Sequence, residues 1–236
     1  MAIASRIDSS GAAFKGSQKQ IQLYVNSHTL ELNCAVATAL GAHLRGETEW
    51  KSPLHNNGFA EFHDSAFLKA LELEHLKADL QEFWPSGGPR WDALARTSEG
   101  QVLLVEAKSY PAEMRGSGCA AQEPSRTKIE RRLHETAQKL GLATAPASWM
   151  GDLYQSANRL AHLHFLRDHG VEAFLINVCF VRDQGHVCVE LEEWRGALRE
   201  AKIDLAVGAL PFVAEVFLPA LALDELHQEP SSAGLL

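Results

Sequence analysis

The amino-acid sequence predicts an α/β protein in which helices flank a mixed central β-sheet, with a helical extension before the sheet. Two observations carry this prediction. Apolar runs at Val102–Val105 and within Val171–Arg182 are typical of buried strands. Segments with helical spacing of apolar residues lie before, between and after these runs, and helices that alternate with strands in this way favour a layered α/β arrangement.

The first 60 residues are predicted to form an arm and helices that pack on the core. Residues 1–16 are polar and contain Gly and Ser, which favours a loose arm. Apolar spacing predicts helices over Gln18–Val25 and Thr29–Leu44, and Arg45–Gly58 is expected to be a loop. Residues 61–236 are predicted to be the main domain, and the 236 residues together suit one globular unit with a sizeable core.

Between residues 61 and 88 the sequence predicts one helix and one short strand. Asp64 has the side chain of a helix N-cap, and apolar residues follow it at helical spacing as far as Leu76. Leu80–Trp84 is predicted to be a short first strand, because Pro85-Ser86-Gly87-Gly88 would end it.

A predicted β-hairpin then carries Asp92, Glu106 and Lys108. Gly88-Pro89 bounds its first strand, and the Glu99-Gly100 turn separates the two strands. Antiparallel pairing across a four-residue loop would bring Asp92 near Glu106, and side chains two apart on a strand share a face, so Glu106 and Lys108 point the same way. Burying these charges without a use would be costly, whereas a divalent cation and an activated water would give all three a role. The alternative is an ordinary edge hairpin with Glu106 and Lys108 paired in solvent.

The rest of the chain is predicted to alternate between loops, helices and strands. A flexible loop is followed by a basic helix, a long helix, a buried strand, a weaker strand, a helix and a late strand. Their expected positions are Pro111–Pro124, residues 126–139, Trp149–His169, Val171–Arg182, His186–Leu191, Glu192–Lys202 and Phe212–Leu218.

Composition and motifs argue against several classes of protein, including secreted, membrane-spanning and zinc-binding proteins. The first 20 residues lack the apolar core of a signal peptide, and the most apolar window, Ile203–Leu223, is interrupted by charges and prolines, so a cytoplasmic protein without a membrane span is expected. The four cysteines show no C-x-x-C spacing, and buried free thiols are the expected state of Cys179 and Cys188. The histidines show no zinc-binding spacing, and no G-x-S-x-G or phosphate-binding loop motif is present.

Asp92, a gap of about a dozen residues, and then Glu106-Ala107-Lys108 resembles the signature of the PD-(D/E)XK nuclease superfamily, which is restriction-endonuclease-like. The chain departs from the signature at the proline, because Arg90 and Trp91 separate Pro89 from Asp92. The resemblance covers roughly residues 60–182, and the expected order of helix, strand, hairpin, helix and strand is that of the nuclease core.

The resemblance implies a metal-dependent nuclease that hydrolyses phosphodiester bonds of nucleic acid, with DNA as the expected substrate. Asp92 and Glu106 would hold Mg²⁺ or Mn²⁺, with the Ala107 carbonyl as a third ligand and Glu61, just before the upstream helix, completing the site. Lys108 would stay protonated beside two carboxylates and stabilise the transition state. Gln155 resembles the glutamine that reaches into such sites from the helix beyond the lysine strand.

The expected nucleic-acid contacts come from positively charged residues near the motif. The net charge of −8 argues against a strong non-specific binder, yet residues 126–139 are locally basic. A solvated helix face is the alternative for this segment, as it is for the polar stripe of Gln155, Asn158, Arg159 and His162. The predicted nucleic-acid-binding residues are Arg126, Lys128, Arg131, Arg132 and Arg159.

Two other functions are compatible with the sequence. A nuclease-like fold can be retained as a catalytically silent module for nucleic-acid binding or assembly, and an acidic protein is equally suited to hydrolysing small nucleotides. A homodimer is compatible with each of these interpretations.

Overall fold

The computed structural model describes residues 7–222, which form a five-stranded mixed sheet with helices on both faces. The strands lie side by side in chain order; the first three are antiparallel and the last three are parallel. The predicted α/β class with a mixed sheet is therefore confirmed. The strands are β1 Thr48–Ser52, β2 Ala93–Thr97, β3 Val102–Lys108, β4 Ala173–Val181 and β5 Val213–Pro219.

The helices provide the cover on both faces and the crossovers between parallel strands. Parallel neighbours cannot be joined by a tight turn, so two helices connect β3 to β4 and one connects β4 to β5. No helix within residues 7–222 has the length and apolar character needed to cross a membrane. The helices are α1 Gly16–Asn26, α2 Thr29–Leu40, α3 Asp64–Ala70, α4 Lys77–Phe83, α5 Ser125–Lys139, α6 Tyr154–Asp168 and α7 Leu191–Leu205.

The predicted hairpin is present as β2 and β3, joined by residues 98–101. Ala93 pairs with Val105 and Leu94 with Leu104, so Asp92 lies just beyond the last pair, at the Glu106 end of the hairpin. The backbone N–H of Asp92 donates to the Val105 carbonyl, 3.2 Å away, so Asp92 and Ala93 both face Val105. The apolar run of β3 makes it a central strand, buried from Val102 to Ala107.

The alternation of side chains along β3 gives the sheet two different faces. Leu103, Val105 and Ala107 belong to the apolar cluster covered by α1 and α2. Val102 and Leu104 face the other way and pack with residues of α3 and α6. Glu106 and Lys108 continue this second face, so the charged residues of the hairpin lie on the side of α6.

Three predicted elements are wrong. The expected loop over Arg45–Gly58 contains β1, a strand too short for its pattern to stand out, in which Trp50 and Ser52 are buried. The expected strand Leu80–Trp84 belongs to α4, because Leu80, Phe83 and Trp84 also fit helical spacing, and the Trp84 N–H donates to the Leu80 carbonyl at 2.8 Å.

The third is the weak strand expected at His186–Leu191. This segment is irregular and leads into α7, where the Glu193 carboxylate accepts a hydrogen bond of 2.8 Å from the Glu190 N–H, as in a capping box. Cys188, expected on that strand as a buried thiol, is exposed, whereas Cys179 on β4 is buried as expected.

Asp64 does not cap α3. It adopts a positive φ of 48°, and its carboxylate accepts hydrogen bonds from the backbone N–H groups of Gly87 at 3.1 Å and Gly88 at 2.8 Å. These bonds tie the start of α3 to the segment that leads into β2. We call this contact the Asp64 clasp. A Cβ atom at Gly88 would lie 3.2 Å from both the Asp64 Oδ1 and the His162 Nε2, so the clasp leaves little room for a larger residue.

Candidate active site

The two predicted carboxylates meet at the end of the hairpin ladder. Asp92 directly precedes β2 and lies close enough to Glu106 of β3 for the two charges to interact. The Asp92 Oδ2 atom accepts a hydrogen bond of 2.7 Å from the Ala107 backbone N–H. This bond fixes the Asp92 side chain against the strand that carries Glu106 and Lys108, because the backbone donor cannot move without distorting β3.

Glu106 lies between two cationic side chains. Lys108, two residues further along the same strand, contacts its Oε1 atom, and the Arg159 Nε atom of α6 lies 2.5 Å from its Oε2 atom. All three side chains are largely buried, with 9%, 17% and 11% of the side-chain surface of Glu106, Lys108 and Arg159 exposed. The alternative of a solvated Glu106–Lys108 pair is therefore wrong: the pair exists, but it is enclosed.

Arg159 is held by further contacts besides Glu106. Its Nη2 atom donates to the Arg90 carbonyl at 3.1 Å, and its guanidinium lies 5.7 Å from the ring centroid of the buried Trp91. The structure thus places this predicted nucleic-acid contact inside the site, where it joins α6 to both strands of the hairpin.

The charges of the site shift the pKa values of its acids in opposite directions. Burial and then the negative charge of Glu106 raise the pKa of Asp92 to about 8, against the opposing effects of Lys108 and the Ala107 N–H. Burial acts to raise the pKa of Glu106 as well, but the charges of Arg159 and Lys108 outweigh it and hold this pKa below its ordinary value. Glu106 is therefore the ionised member of the pair, and Asp92 is the one whose proton a nearby cation would displace.

Lys108 stays protonated and positively charged. Burial acts to lower its pKa, but Glu106 and Asp92 together outweigh burial, so the pKa lies above the ordinary lysine value. This direction agrees with the electrostatic role expected from the sequence.

Glu61 lies at the margin of this group. An isolated bridge between Phe62 and Trp91 brings the chain before α3 alongside the residue that precedes Asp92. The Glu61 Oε1 atom accepts a hydrogen bond of 3.0 Å from the Gln18 amide of α1. Burial raises the pKa of Glu61, with Arg90 opposing and Glu106 adding to the shift. Glu61 is thus electrostatically coupled to Glu106, but a hydrogen bond holds it toward α1.

The oxygen donors at this site suit a hard divalent cation. Asp92 and Glu106 supply two carboxylates, and the Ala107 carbonyl points to the same side of β3 as its N–H, toward Asp92 and beyond the last paired residue of the β2 ladder. Within residues 7–222, however, no three His, Cys, Asp or Glu side chains are grouped in a way that could hold a metal ion. The fit therefore rests on two carboxylates and a carbonyl, and Glu61 would have to leave Gln18 to add a third carboxylate.

Two cavities flank the charged group and meet at α6. An open cleft lies between residues 85–90 and residues 116–123, and Arg90, Tyr154 and Asn158 contribute to its wall. A smaller cavity, of about 150 Å³, borders Glu106 and Lys108 on the side of β4, β5 and α7. Gln155 and Arg159 line both. The predicted Gln155 is thus exposed beside the site, at the point where a ligand could pass from one cavity to the other.

The remainder of the polar stripe on α6 does not face water. Asn158 and His162 are buried, and His162 packs among Phe67, Phe83 and Trp84. The His162 Nδ1 atom lies 2.9 Å from the Asn158 carbonyl, which can only accept, so Nδ1 carries the proton. Burial lowers the pKa of His162 to about 4, which makes it a neutral core residue.

The basic residues of α5 have two different roles in the structure. Lys128 donates to the Gln81 carbonyl at 2.9 Å, and Arg132 donates to the Phe83 carbonyl at 3.1 Å and pairs with Glu135, so both attach α5 to α4. Arg126 and Arg131 form ion pairs one turn further along α5, with 41% and 60% of their side-chain surface exposed. Arg126 also donates to the Cys119 carbonyl at 3.2 Å, so Arg131 is the most exposed of the four and the one presented to solvent as the sequence prediction requires.

Sequence reasoning missed two polar residues that continue the site across the sheet. Asn177 of β4 lies beside Glu106, and Glu215 of β5 lies beside Asn177, so the three positions Glu106, Asn177 and Glu215 form one row. The available signal was a single polar residue inside each of two apolar strands, Ile176-Asn177-Val178 and Ala214-Glu215-Val216. Their alignment depends on the register of parallel strands, which the sequence does not contain.

Comparison of the chain with protein-family models, with curated proteins and with solved structures finds no match.

Proposed function

We propose that this protein is a metal-dependent phosphodiesterase of restriction-endonuclease-like fold that hydrolyses nucleic acid, with DNA as the expected substrate. The observation that carries the proposal is the placement of Asp92 against Ala107 and near Glu106, with Lys108 in contact with Glu106. The hairpin followed by two helices and a parallel strand supports the resemblance to the nuclease core, although α3 and α4 separate the hairpin from the strand that precedes it. Free thiols at all four cysteines support a cytoplasmic location.

Asp92, Glu106 and the Ala107 carbonyl would hold Mg²⁺ or Mn²⁺. When bound, such an ion supplies Lewis-acid polarisation of a phosphate oxygen and lowers the pKa of a coordinated water. The chain itself contributes the arrangement of the donors: the Ala107 N–H holds Asp92 in place, and Lys108 and Arg159 keep Glu106 ionised.

Lys108 and Arg159 supply the positive charge that a reacting phosphodiester needs. Lys108 keeps its proton and, with little of its side chain exposed to water, exerts a stronger field than it would at the surface. It would stabilise the charge that grows on the phosphate oxygens during attack. Gln155, which lines both cavities, would orient the water or the phosphate by hydrogen bonding.

The open cleft gives the nucleic acid a path to this group. Arg90 and Arg159 line the cleft, and Arg126 and Arg131 are exposed on the neighbouring helix α5. Phosphate neutralisation by such side chains supplies most of the affinity of a protein for nucleic acid. Because the chain carries a net charge of −8, we expect weak, salt-sensitive binding that is confined to this side of the molecule.

A catalytically silent binding or assembly module is the second candidate. It is favoured by the ion pairs of Glu106, which Lys108 and Arg159 satisfy without a metal ion. A buried network whose charges are already paired can persist as a structural element alone.

A comparison of three proteins separates the two candidates: the wild type, Asp92→Asn and Lys108→Ala. In the nuclease, Mn²⁺ should raise the melting temperature of the wild type and of Lys108→Ala but not of Asp92→Asn, because Asp92 is a ligand and Lys108 is not. Cleavage of DNA should be lost in Asp92→Asn. It should fall about a hundredfold in Lys108→Ala, which corresponds to roughly 3 kcal/mol of transition-state stabilisation.

Lys139→Ala provides the matched control, since Lys139 pairs with Asp168 at the surface and should not influence cleavage. A wild type that binds DNA without cleaving it, with either Mg²⁺ or Mn²⁺, would support the binding module. Equal activity of Lys108→Ala and wild type would exclude the mechanism.

A further inference from the structure

The smaller cavity beside Glu106 and Lys108 is not explained by hydrolysis of a phosphodiester alone. It lies between α6 and α7, above the ends of β4 and β5, and its volume is about 150 Å³. A protein cavity of this size holds a molecule as large as benzene. The cavity is therefore large enough for one six-membered ring and opens directly onto the charged group of the proposed active site.

Most of the cavity wall is apolar, and Lys202 of α7 is a charged part of it. Leu160 of α6, Leu175 of β4, and Leu198 and Leu205 of α7 line it, and each of these residues is at most 9% exposed. Branched aliphatic side chains on opposite sides of a narrow space suit a flat ring, which would lose contact with water on both faces.

The floor of the cavity is polar and lies in the same row as Glu106. Asn177 and Glu215 occupy neighbouring register positions on β4 and β5 and line the cavity. The Glu215 Oε1 atom lies 2.6 Å from the Lys202 Nζ atom of α7. A carboxylate has about four lone-pair sites, so this pair leaves Glu215 able to accept further hydrogen bonds. Asn177 brings both a donor and an acceptor to the same edge.

We propose that this cavity is a nucleobase pocket for cytosine, which binds the base of a nucleotide next to the phosphate held at Lys108 and Arg159. The inference rests on the proposed function, because it uses the adjoining site to hold the phosphate. The base would enter the cavity unpaired, either from single-stranded nucleic acid or after rotating out of a duplex.

The polar floor of the cavity, formed by Asn177 and Glu215, determines which base fits. Cytosine presents an amino donor to the Glu215 carboxylate, as acidic side chains accept from this group elsewhere, and its ring nitrogen and carbonyl accept from the Asn177 amide. Uracil and thymine place a carbonyl oxygen where cytosine has its amino group, so Glu215 would repel them. Adenine and guanine have a second ring, which would lie outside a volume suited to one six-membered ring.

Calorimetric titration of the metal-free protein with cytidine 5′-monophosphate and uridine 5′-monophosphate tests the pocket without requiring catalysis. We expect the cytidine nucleotide to bind at least about tenfold more tightly, the discrimination typical of one well-formed hydrogen-bonded contact to a base. Glu215→Gln should remove most of this preference, because an amide can donate to the uracil carbonyl. Asn177→Ala should weaken binding of both nucleotides.

Glu200→Gln is the matched control, since Glu200 is exposed on α7 and does not line the cavity. Leu175→Phe would fill the cavity while keeping an apolar side chain, so it should weaken binding of cytidine 5′-monophosphate. Its melting curve would show whether the protein remains folded. Equal binding of the two nucleotides by the wild type, or unchanged binding in Glu215→Gln and Leu175→Phe, would overturn the proposal.

Cleavage of single-stranded DNA with and without cytosine keeps the two proposals separate. Cleavage at equal rates with no preference for the cytidine nucleotide would reject the pocket and retain the nuclease. Preferential binding of the cytidine nucleotide by a protein that cleaves nothing would retain the pocket and reject the nuclease.

Discussion

The two faces of the central strand β3 use the same backbone for opposite purposes. On the face toward α1 and α2, the side chains of Leu103, Val105 and Ala107 remain apolar to the end of the strand. On the face toward α6, the apolar pattern stops after Leu104, and the next two positions are Glu106 and Lys108.

This difference separates the residues that form the fold from those proposed for its activity. A buried group of ion pairs is often no more stabilising than apolar residues of the same size, and it is more demanding in geometry. The α1 and α2 face shows that this sheet can be closed with apolar residues alone. The charged end of the opposite face is therefore better explained by a ligand than by stability.

The largest expected loss of stability comes from placing a charge in the buried centre of β3, which is covered on both faces of the sheet. Leu104→Asp would bury a carboxylate without a partner at a fully buried position of β3, and should destabilise the protein by more than about 4 kcal/mol. Little soluble protein should be recovered. Leu30→Asp, at a position that is 79% exposed, should behave as the wild type. Normal yield and melting of Leu104→Asp would contradict the assignment of β3 as a central strand.

A smaller effect is expected from the neutral histidine beneath the site face. The folded-state pKa of His162, about 4, is lower than its ordinary value, because burial disfavours the charged form. Below pH 6.5 the unfolded chain therefore binds a proton at His162 that the folded protein does not bind. The free energy of unfolding decreases as the pH is lowered. Between pH 7 and pH 5 the wild type should lose about 2 kcal/mol that His162→Gln does not lose.

Denaturant unfolding at several pH values measures this difference directly. His75→Gln, at an exposed position, should give the wild-type pH profile. Parallel profiles for His162→Gln and the wild type would mean that His162 is accessible to protons in the folded state.

The cost of the charged face itself can be measured at Asp92. Its folded-state pKa, about 8, is raised above the unfolded value, so the folded protein binds this proton more tightly and loses stability as pH rises from about 4 to 8. Without metal, Asp92→Asn should remove this loss and be more stable than the wild type at pH 8 by several kcal/mol, since a pKa difference of about 4 units corresponds to roughly 5 kcal/mol. At pH 4 the two should be similar. Asp168→Asn, at the exposed end of α6, serves as the control for a lost surface carboxylate.

The smallest effects concern the outer layer on the site face, where α5 packs on α4. Arg132→Ala removes a hydrogen bond to the Phe83 carbonyl and a cation–π contact with its ring, and should lower stability by about 1 kcal/mol. Arg131→Ala should change stability by less than about 0.5 kcal/mol, since its ion pair is exposed. Instead, Arg131→Ala should weaken DNA binding and reduce the salt dependence of the affinity for DNA. The reverse assignment of the two effects would show that Arg132 contacts the nucleic acid.

The hairpin and its motif could be predicted from sequence because their signals are local. Four apolar residues before Glu106 indicate a buried strand, and the Glu99-Gly100 turn sets a register that brings Asp92 to the Glu106 end of the hairpin. By contrast, β1 has two buried residues in five, and Leu80–Trp84 has a pattern that helix and strand share.

The remainder of the site depends on distant contacts. Arg159 is 53 residues from Glu106, and its orientation follows from the packing of α6 on the sheet. The sequence suggested that Arg159 contacts nucleic acid, but not that it would pair with Glu106. The Asp64 clasp was missed for the same reason, because a short polar residue before a helix normally indicates a cap.

The pleat of β3 also restricts how the length of this chain can vary. Loss of one residue within Val102–Val105 would turn Glu106 toward the apolar cluster under α1 and α2 and bring Ala107 to the site face. An insertion at Glu99-Gly100, at the exposed tip of the turn, would leave both strands in register. Deletions in the strand and insertions at the turn are thus unequal changes: the first exchanges the two faces of the hairpin, and the second only lengthens a loop.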